Sequence, residues 1–567
     1  MRLINAITFT LEEFLGTDVP KYAILSHTWE EEEVTFQDFN HQEIRSQKKG
    51  FHKLQKLCEL AKQDGLQYAW ADTCCIDKTS SSELTEAINS MFRFYLDAEV
   101  CYAWLMDLPA DNRDIHYRLD KCRWFTRGWT LQELIAPRVL KFYDETWKFR
   151  GTKSNLRQLI TQITKISGGI LKDPTRLSQL PVAQKMSWAA NRQTTRIEDM
   201  AYSLLGLFEV NMPMIYGEGS RAFLRLQEEI AKEKNDPSLF AWRAASPGQT
   251  HYGMFASTPA DFRNSGSVHL INDPMFSTEY LISNKGLRID SDLFPVNDRI
   301  FFMDINCVDL PPNRTTTSAT SSNSVKLALD QRHIGILIKS HGGGVYSRVE
   351  ADRFAIPPGG SPLHSIRVFL PKHVDLTRSL YLENLFSYSF VLRKGVSPPS
   401  DAFPFTPLVF IPETEWDTRQ HKFPTRGRDD FSAYAHFRAE PSFTNSSDFV
   451  LAFGNVKEEG GPWIGISLAE DLNIYPYLGD AKKVGHAARK KRNTTVKVRY
   501  DENLRRTYYV HVSLKKTRVG VDVVYFIDLS CTTEKVPRAG GDSTADRHMM
   551  GGHRYRQSLN IDERKSF

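Results

Sequence analysis

The sequence predicts a parallel α/β sheet domain, then a helical extension, then a mostly antiparallel, sandwich-like β domain. Three observations predict it. Up to about residue 145, short apolar runs alternate with segments whose apolar residues recur at helical spacing. From 154 to 235 the period is helical throughout. From about 250 onward, short β-rich runs are separated by turn residues. The expected boundaries are 1–150, 151–242 and 250–532, with a polar tail, 533–567, expected to be disordered.

Taken in order, YAILS (22–26) is short and apolar and precedes a polar loop, which suits a buried strand. FHKLQKLCELAKQDG (51–65) places Phe51, Leu54, Leu57, Cys58 and Ala61 on one helical face, with Gly65 at the stop. QYAWAD (67–72) is the second strand. Ser80 precedes Glu83 by three residues, a capping-box pattern opening a helix with Leu84, Ala87, Ile88, Met91, Phe92 and Tyr95 on one stripe. VCYAWL (100–105) is the third strand, RGWTLQELI (127–135) a helix ended by Pro137, and VLKFYD (139–144) the fourth strand. Strand–helix alternation with short connections implies a parallel sheet covered on both faces.

In the extension, NLRQLITQITKI, VAQKMSWAA, IEDMAYSLLGLF and SRAFLRLQEEIAK read as helices. Thr195 and Glu198 form a second capping-box pattern, Gly206 is a candidate helix breaker, and GEGS (217–220) a helix start. The β region holds YLISNKGLRID, RIFFMDINCV, HIGILIKS, SIRVFLP, DFVLAFGNV, TVKVRYD, YYVHVSL and VDVVYFIDL. PPNRTTTSATSSNS (311–324) reads as a polar low-complexity loop, and RKKR (489–492) as a solvated loop in preference to a nuclear signal.

Composition bounds the function classes. Of 567 residues, 41% are apolar and 25% charged, which excludes disorder of the whole chain. The 73 basic residues nearly balance 68 acidic ones, so charge offers no argument for nucleic acid or membrane-surface partners. MRLINAITFTLEEF lacks a signal-peptide core, and no apolar run approaches a membrane span. Seven cysteines at irregular spacing, with no CxxC pair, read as reduced thiols in a cytoplasmic protein without structural zinc. Cys75 as a nucleophile is outweighed by the buried, inert alternative.

Ligands of a doubly wound sheet bind at the carboxyl ends of its strands. That rule marks Ser26, His27 and Trp29 after the first strand, Asp72 and Asp77 after the second, and Arg127, Trp129 and Glu133 around RGWTLQE. Each has a plainer reading: loop capping for Ser26 and Asp72, a core histidine, a turn aspartate at Asp77, a structural bridge from Arg127, a core tryptophan at 129. Adjacent Ser26 and His27 point to opposite faces of a strand, which disfavours a Ser/His dyad. No GxGxxG or GxxxxGK[ST] follows a strand, so no standard dinucleotide or triphosphate loop is expected.

YAILSHTW, YAWADTCCIDK, EAINSMFRFYLDAEVCYAWL and RWFTRGWTLQELIAP resemble, in order, the motifs of the fungal heterokaryon incompatibility (HET) domain. NRQTTRIEDMAYSLLGLFEVNMPMIYGEGSRAFLRLQEEI and DPSLFAW resemble the segment that follows it, so the likeness spans roughly 20–242. The HET domain is in turn similar to TIR domains, which implies a flavodoxin-like, five-stranded parallel sheet. Trp129-Thr-Leu-Gln-Glu133 matches the WxxxE motif of enzymatic TIR domains. The resemblance therefore implies Glu133 as the catalytic carboxylate of NAD⁺ cleavage, with Ser26 lining the nucleotide pocket. No cofactor is implied beyond NAD⁺ as substrate. The alternative it implies is a non-catalytic module that acts by self-association in non-self recognition and cell death, with an unknown protein partner.

Overall fold

The computed structural model describes residues 1–535 apart from 17, 111–114, 116–117, 247, 272–277, 298, 311–332, 385–387, 394–404, 419–420, 426–429, 440–447, 457–460, 473–479, 492–493, 502–505 and 520–521. The polar loop 311–324 and the tail from 536 lie outside the described residues. The chain divides into two compact units: Met1–Phe390 with Pro424–Asp429 and Lys516–Tyr525, and Val391–Phe423 with Asp430–Lys515 and Phe526–Phe567. The change from helix to strand near residue 250 falls inside the first unit.

That unit opens with strands β1 (Arg2–Asn5), β2 (Leu11–Glu13) and β3 (Tyr22–His27), then helices α1 (Phe36–Phe39), α2 (Gln42–Gln47) and α3 (Phe51–Gln63). Next come β4 (Tyr68–Trp70), α4 (Ser81–Asp97), β5 (Val100–Trp104), α5 (Thr130–Ile135), β6 (Leu140–Tyr143) and β7 (Phe149–Thr152). The sheet runs β2-β1-β4-β3-β5-β6-β7. Its centre, β4-β3-β5-β6, is parallel, and its outer strands β1, β2 and β7 pair antiparallel. The four expected strands are thus the parallel core, in the order 2-1-3-4. The expected fifth parallel strand is corrected: the edges are hairpin-like strands of three or four residues, too short for a visible alternation. Every residue of β3 and β5 is buried, as a strand covered on both faces requires.

α3 packs on β3 and β4, while α5 packs on β3 and α4. In α3 the predicted stripe of Leu54, Leu57, Cys58 and Ala61 is buried, each leucine contributing about 1.5–3 kcal/mol. The box at Ser80 is half formed: Ser80 accepts from Glu83 N, but the Glu83 carboxylate turns to Asp77 N at 2.8 Å.

The extension supplies α6 (Arg157–Thr164), α7 (Gly168–Lys172), α8 (Val182–Ser187), α9 (Asp199–Tyr202), α10 (Leu205–Phe208) and α11 (Arg221–Glu233). Two readings here are corrected. The Thr195 box does not form; the Glu198 carboxylate instead accepts from Gly217 N at 2.8 Å and Gly219 N at 3.0 Å. Gly206 does not break a helix but lies inside α10, where a Cβ would stand 2.1 Å from Phe92 Cβ; it lets α10 approach α4 closely.

Five strands of the β region close on themselves: β11 (Gly286–Pro295), β12 (Ile300–Asp309), β13 (His333–Gly342), β14 (Val345–Val349) and β15 (Leu363–Leu370), preceded by short β8 (His251–Tyr252), β9 (Val268–Leu270) and β10 (Tyr280–Ser283). β11 pairs with β15 along Leu287–Leu293 and with β12 along Leu293–Pro295, its register shifting between Ser291 and Leu293. The ring β11-β15-β14-β13-β12 is a small barrel filled by Leu287, Leu293, Phe301, Ile338 and Val368. The sandwich expected here is corrected by that bulge, which lets one strand serve two neighbours. Within the second unit, Phe405–Ile411, Phe431–Ala439, Phe449–Val456 and Gly461–Leu468 form an antiparallel sheet covered by the helix Ala481–Lys491. Arg489–Lys491 therefore end a helix and not a loop, and Arg492 is outside the described residues.

Candidate functional site

Strand alternation divides the first site segment. Ser26, on the face that meets α5, is fully buried and its hydroxyl donates to Glu133 Oε2 at 2.5 Å. Trp124 Nε1 donates to Ser26 Oγ at 2.8 Å, which orients that hydroxyl. His27 faces α3 instead: its Nε2 lies 3.7 Å from Glu33, outside hydrogen-bond reach but within ion-pair reach, and Lys53 of α3 pairs with the same carboxylate. Burial pushes the Glu33 carboxyl up, but His27 and Lys53 outweigh it and hold it at about 2.

Glu133 sits in the first turn of α5 with 8% of its surface exposed. Burial raises its carboxyl, the Ser26 hydrogen bond opposes that, Asp72 raises it further, and Arg127 and Arg192 oppose; the balance is about 8. The site therefore holds a carboxyl poised near neutrality, with the Tyr95 hydroxyl beside it and donating to Leu25 O at 3.0 Å. Arg192 is a buried guanidinium that sequence reasoning missed. It donates to Arg127 O at 2.7 Å and Thr130 Oγ1 at 3.0 Å, tying the start of α5 to the extension. Burial pulls Arg192 down and Glu133 pulls it back up; a guanidinium held by two acceptors stays charged. Lys153, also missed, closes the other end of α5 by donating to Leu134 O at 3.1 Å, Ile135 O at 3.2 Å and Pro137 O.

Asp72 accepts from Trp29 Nε1 at 2.9 Å, and Lys78 Nζ stands 3.5 Å from the centre of the Trp29 ring. This trio borders the Glu133 carboxyl electrostatically through Asp72. Asp77 is elsewhere: its carboxylate accepts from Thr79 N at 3.0 Å, Thr79 Oγ1 at 2.6 Å and Gln37 at 2.8 Å, a turn brace. Arg127 donates outward to Thr195 at 3.1 Å while its charge reaches Glu133. Trp129 directly precedes α5 as its cap residue, packs on the core, and its indole serves Asp199 of α9. Gly128 explains the start of the motif: its N–H donates to Gln193 O at 2.8 Å, and a Cβ would lie 2.5 Å from Thr194 Cγ2.

The structure thus brings Ser26, Glu133, Asp72, Trp29 and Arg127 to one end of the parallel strands. It turns His27 to the other face, and uses Asp77 and Trp129 in local anchoring. A cavity of about 860 Å³ lined by Arg2, Phe14, Trp70, Glu83, Arg93 and Asp97 lies away from Glu133. Cys74 and Cys75 are buried, and burial pushes the Cys74 thiol up. Among the described residues no cluster of three His, Cys, Asp or Glu is placed to hold a metal, and no helix is long and apolar enough to cross a membrane.

Residues 22–113 match the heterokaryon incompatibility protein (HET) family, so this segment of the chain is a HET domain. Over 238 residues, 40% of this chain, it is 46% identical to the vegetative incompatibility protein HET-E-1 of Podospora anserina. The match spans 17% of that protein's length. No solved structure matches the chain.

Proposed function

We propose that this chain acts in heterokaryon incompatibility and that its HET region is a TIR-like NAD⁺ glycohydrolase whose activity leads to cell death. The observation that carries this reading is the buried Glu133 carboxyl, held by Ser26 at the carboxyl end of the parallel strands and poised at about 8. Water replaces nicotinamide at the ribose carbon, giving nicotinamide, ADP-ribose and a proton. In the empty site a neutral carboxyl tolerates burial. The cationic nicotinamide riboside favours its ionised form, and the carboxylate then stabilises the oxocarbenium-like state. Ser26 holds the acceptor oxygen during that change. The resemblance to HET-E-1, by its printed name a vegetative incompatibility protein, supports the biological role.

The second reading is a non-catalytic module acting by self-association, with Glu133 structural. Its favouring observation is that Glu133 is only 8% exposed, packed beside Ser26 and Tyr95. Nicotinamide release by purified full chain, dilute and concentrated, separates them. We expect release by wild type and none above background by Glu133→Gln or Glu133→Ala of unchanged fold. Activity kept by both variants removes Glu133 from the mechanism. A folded, concentrated wild type that releases nothing favours the scaffold.

A further inference from the structure

We propose that Lys78 is the anion-binding residue of this site and takes the diphosphate of a nucleotide whose base stacks on Trp29. The inference rests on reading the Glu133 crevice as a nucleotide site.

Lys78 lies in the loop between β4 and α4, and its ammonium is hidden from solvent although its stem is partly exposed. Among the described residues no acceptor lies within hydrogen-bond reach of it: Asp72 Oδ2, its ion-pair partner, is 3.7 Å away. The ammonium is thus compensated by an ion pair and a ring face in place of direct hydrogen bonds, and an unmade hydrogen bond at a hidden donor costs about 1–3 kcal/mol. What covers the ammonium is the Trp29 ring, 3.5 Å from it, and Trp29 is itself 49% exposed. Trp29 is held by that cation–π contact and by its N–H bond to Asp72 at 2.9 Å. A half-exposed indole on two weak tethers is free to exchange partners.

A nucleoside diphosphate satisfies each group. Its phosphate oxygens accept the three ammonium hydrogens. Its base replaces the ammonium on the indole face, where stacking contributes about 1–3 kcal/mol. Its ribose hydroxyls donate to Asp72, whose charge reaches Glu133. The glycosidic bond at the far end of a dinucleotide then lies toward the carboxyl.

ADP binding to the full chain, followed by calorimetry and by tryptophan fluorescence, tests this. We expect ADP to bind wild type, Lys78→Met to weaken it at least tenfold, and Lys78→Arg to keep most of the affinity, with melting temperatures unchanged. Wild type that ignores ADP, or Lys78→Met that binds it as tightly as wild type, overturns the proposal. Inorganic pyrophosphate binding as tightly as ADP overturns the stacking role of Trp29. Lys78-dependent ADP binding in a wild type that releases no nicotinamide overturns the hydrolase alone. Nicotinamide release and ADP binding both indifferent to Lys78→Met overturn the Lys78 assignment alone.

Discussion

The Ser26 hydroxyl and the Glu133 carboxylate meet at 2.5 Å across 107 residues of chain, one at the end of β3 and the other on α5. Both are buried, so neither can be exchanged for water. The bond is strongest when Glu133 is ionised, because a charged acceptor roughly doubles a hydrogen bond's strength. Burial pushes the other way. Burial wins and leaves the carboxyl raised to about 8, with the Ser26 hydrogen bond the foremost of the groups that pull it back.

The pH dependence of stability follows from that balance. Glu133 titrates near 4.5 when unfolded and near 8 when folded. The folded protein therefore binds the extra proton, and its stability contribution is fully present below about 4.5 and is lost as pH rises through 8. Glu133→Gln has no such titration. Thermal melts of both proteins between pH 5 and 8.5 should show wild type losing ground to the variant as pH rises, by a few kcal/mol in all, on the order of 1.4 kcal/mol per unit of separation. A constant difference between the two would mean that Glu133 is already ionised in the folded protein.

The opposite face makes the opposite prediction. Lys53 is 2% exposed and pairs with Glu33, whose carboxyl is held at about 2. Lys53→Met leaves a mostly buried carboxylate with His27 at 3.7 Å, and should cost about 3–5 kcal/mol near neutral pH. Glu33 contributes stability above its unfolded value, near 4.5, and loses it as pH falls through 2, so the gap should close in acid. Denaturant titration at pH 7 and pH 3 measures it. Glu33→Gln combined with Lys53→Met should recover most of the loss, and a double variant as weak as the single one would show that Lys53 acts through packing.

How much of this was legible follows from how local each signal is. The four parallel strands and α3 and α4 were readable because their apolar periods lie within a single element. The edges β1, β2 and β7 were not, because three or four residues carry no period. Barrel closure was hidden because it depends on β11 reaching two partners, which no local pattern encodes. The strand-end rule found Ser26 and Asp72, and the WxxxE resemblance found Glu133. The rule placed His27 in the same group, although alternation sends it to α3. Arg192, Lys153 and Lys78 were missed because their roles come from other elements: the start of α5, its end, and the ring of Trp29. NRQTTRIEDM signalled only a motif, and its arginine acquires meaning once Gln193 is seen beside Gly128.

That last contact predicts how the extension steadies the site. Gly128 N donates to Gln193 O at 2.8 Å and Gln193 N donates to Thr126 O at 2.7 Å, a two-way clamp just before α5. A Cβ on residue 128 would lie 2.5 Å from Thr194 Cγ2, so Gly128→Ala forces the two segments apart. The expected loss is about 1–3 kcal/mol, the usual range for overpacking. The nearest obstructing atom is a methyl, with Ser203 Oγ next at 3.2 Å, and Thr194→Ser removes that methyl while keeping the hydroxyl that donates to Arg196 O at 2.6 Å. The double variant should therefore regain stability that Gly128→Ala loses, read by thermal melts. Because Arg192 anchors Thr130 through the same segment, the single variant should also shift the pH at which Glu133 titrates, and the double variant should restore it. Equal stability of wild type and Gly128→Ala would show that the segments separate freely, and that the clamp does not hold Glu133 in place.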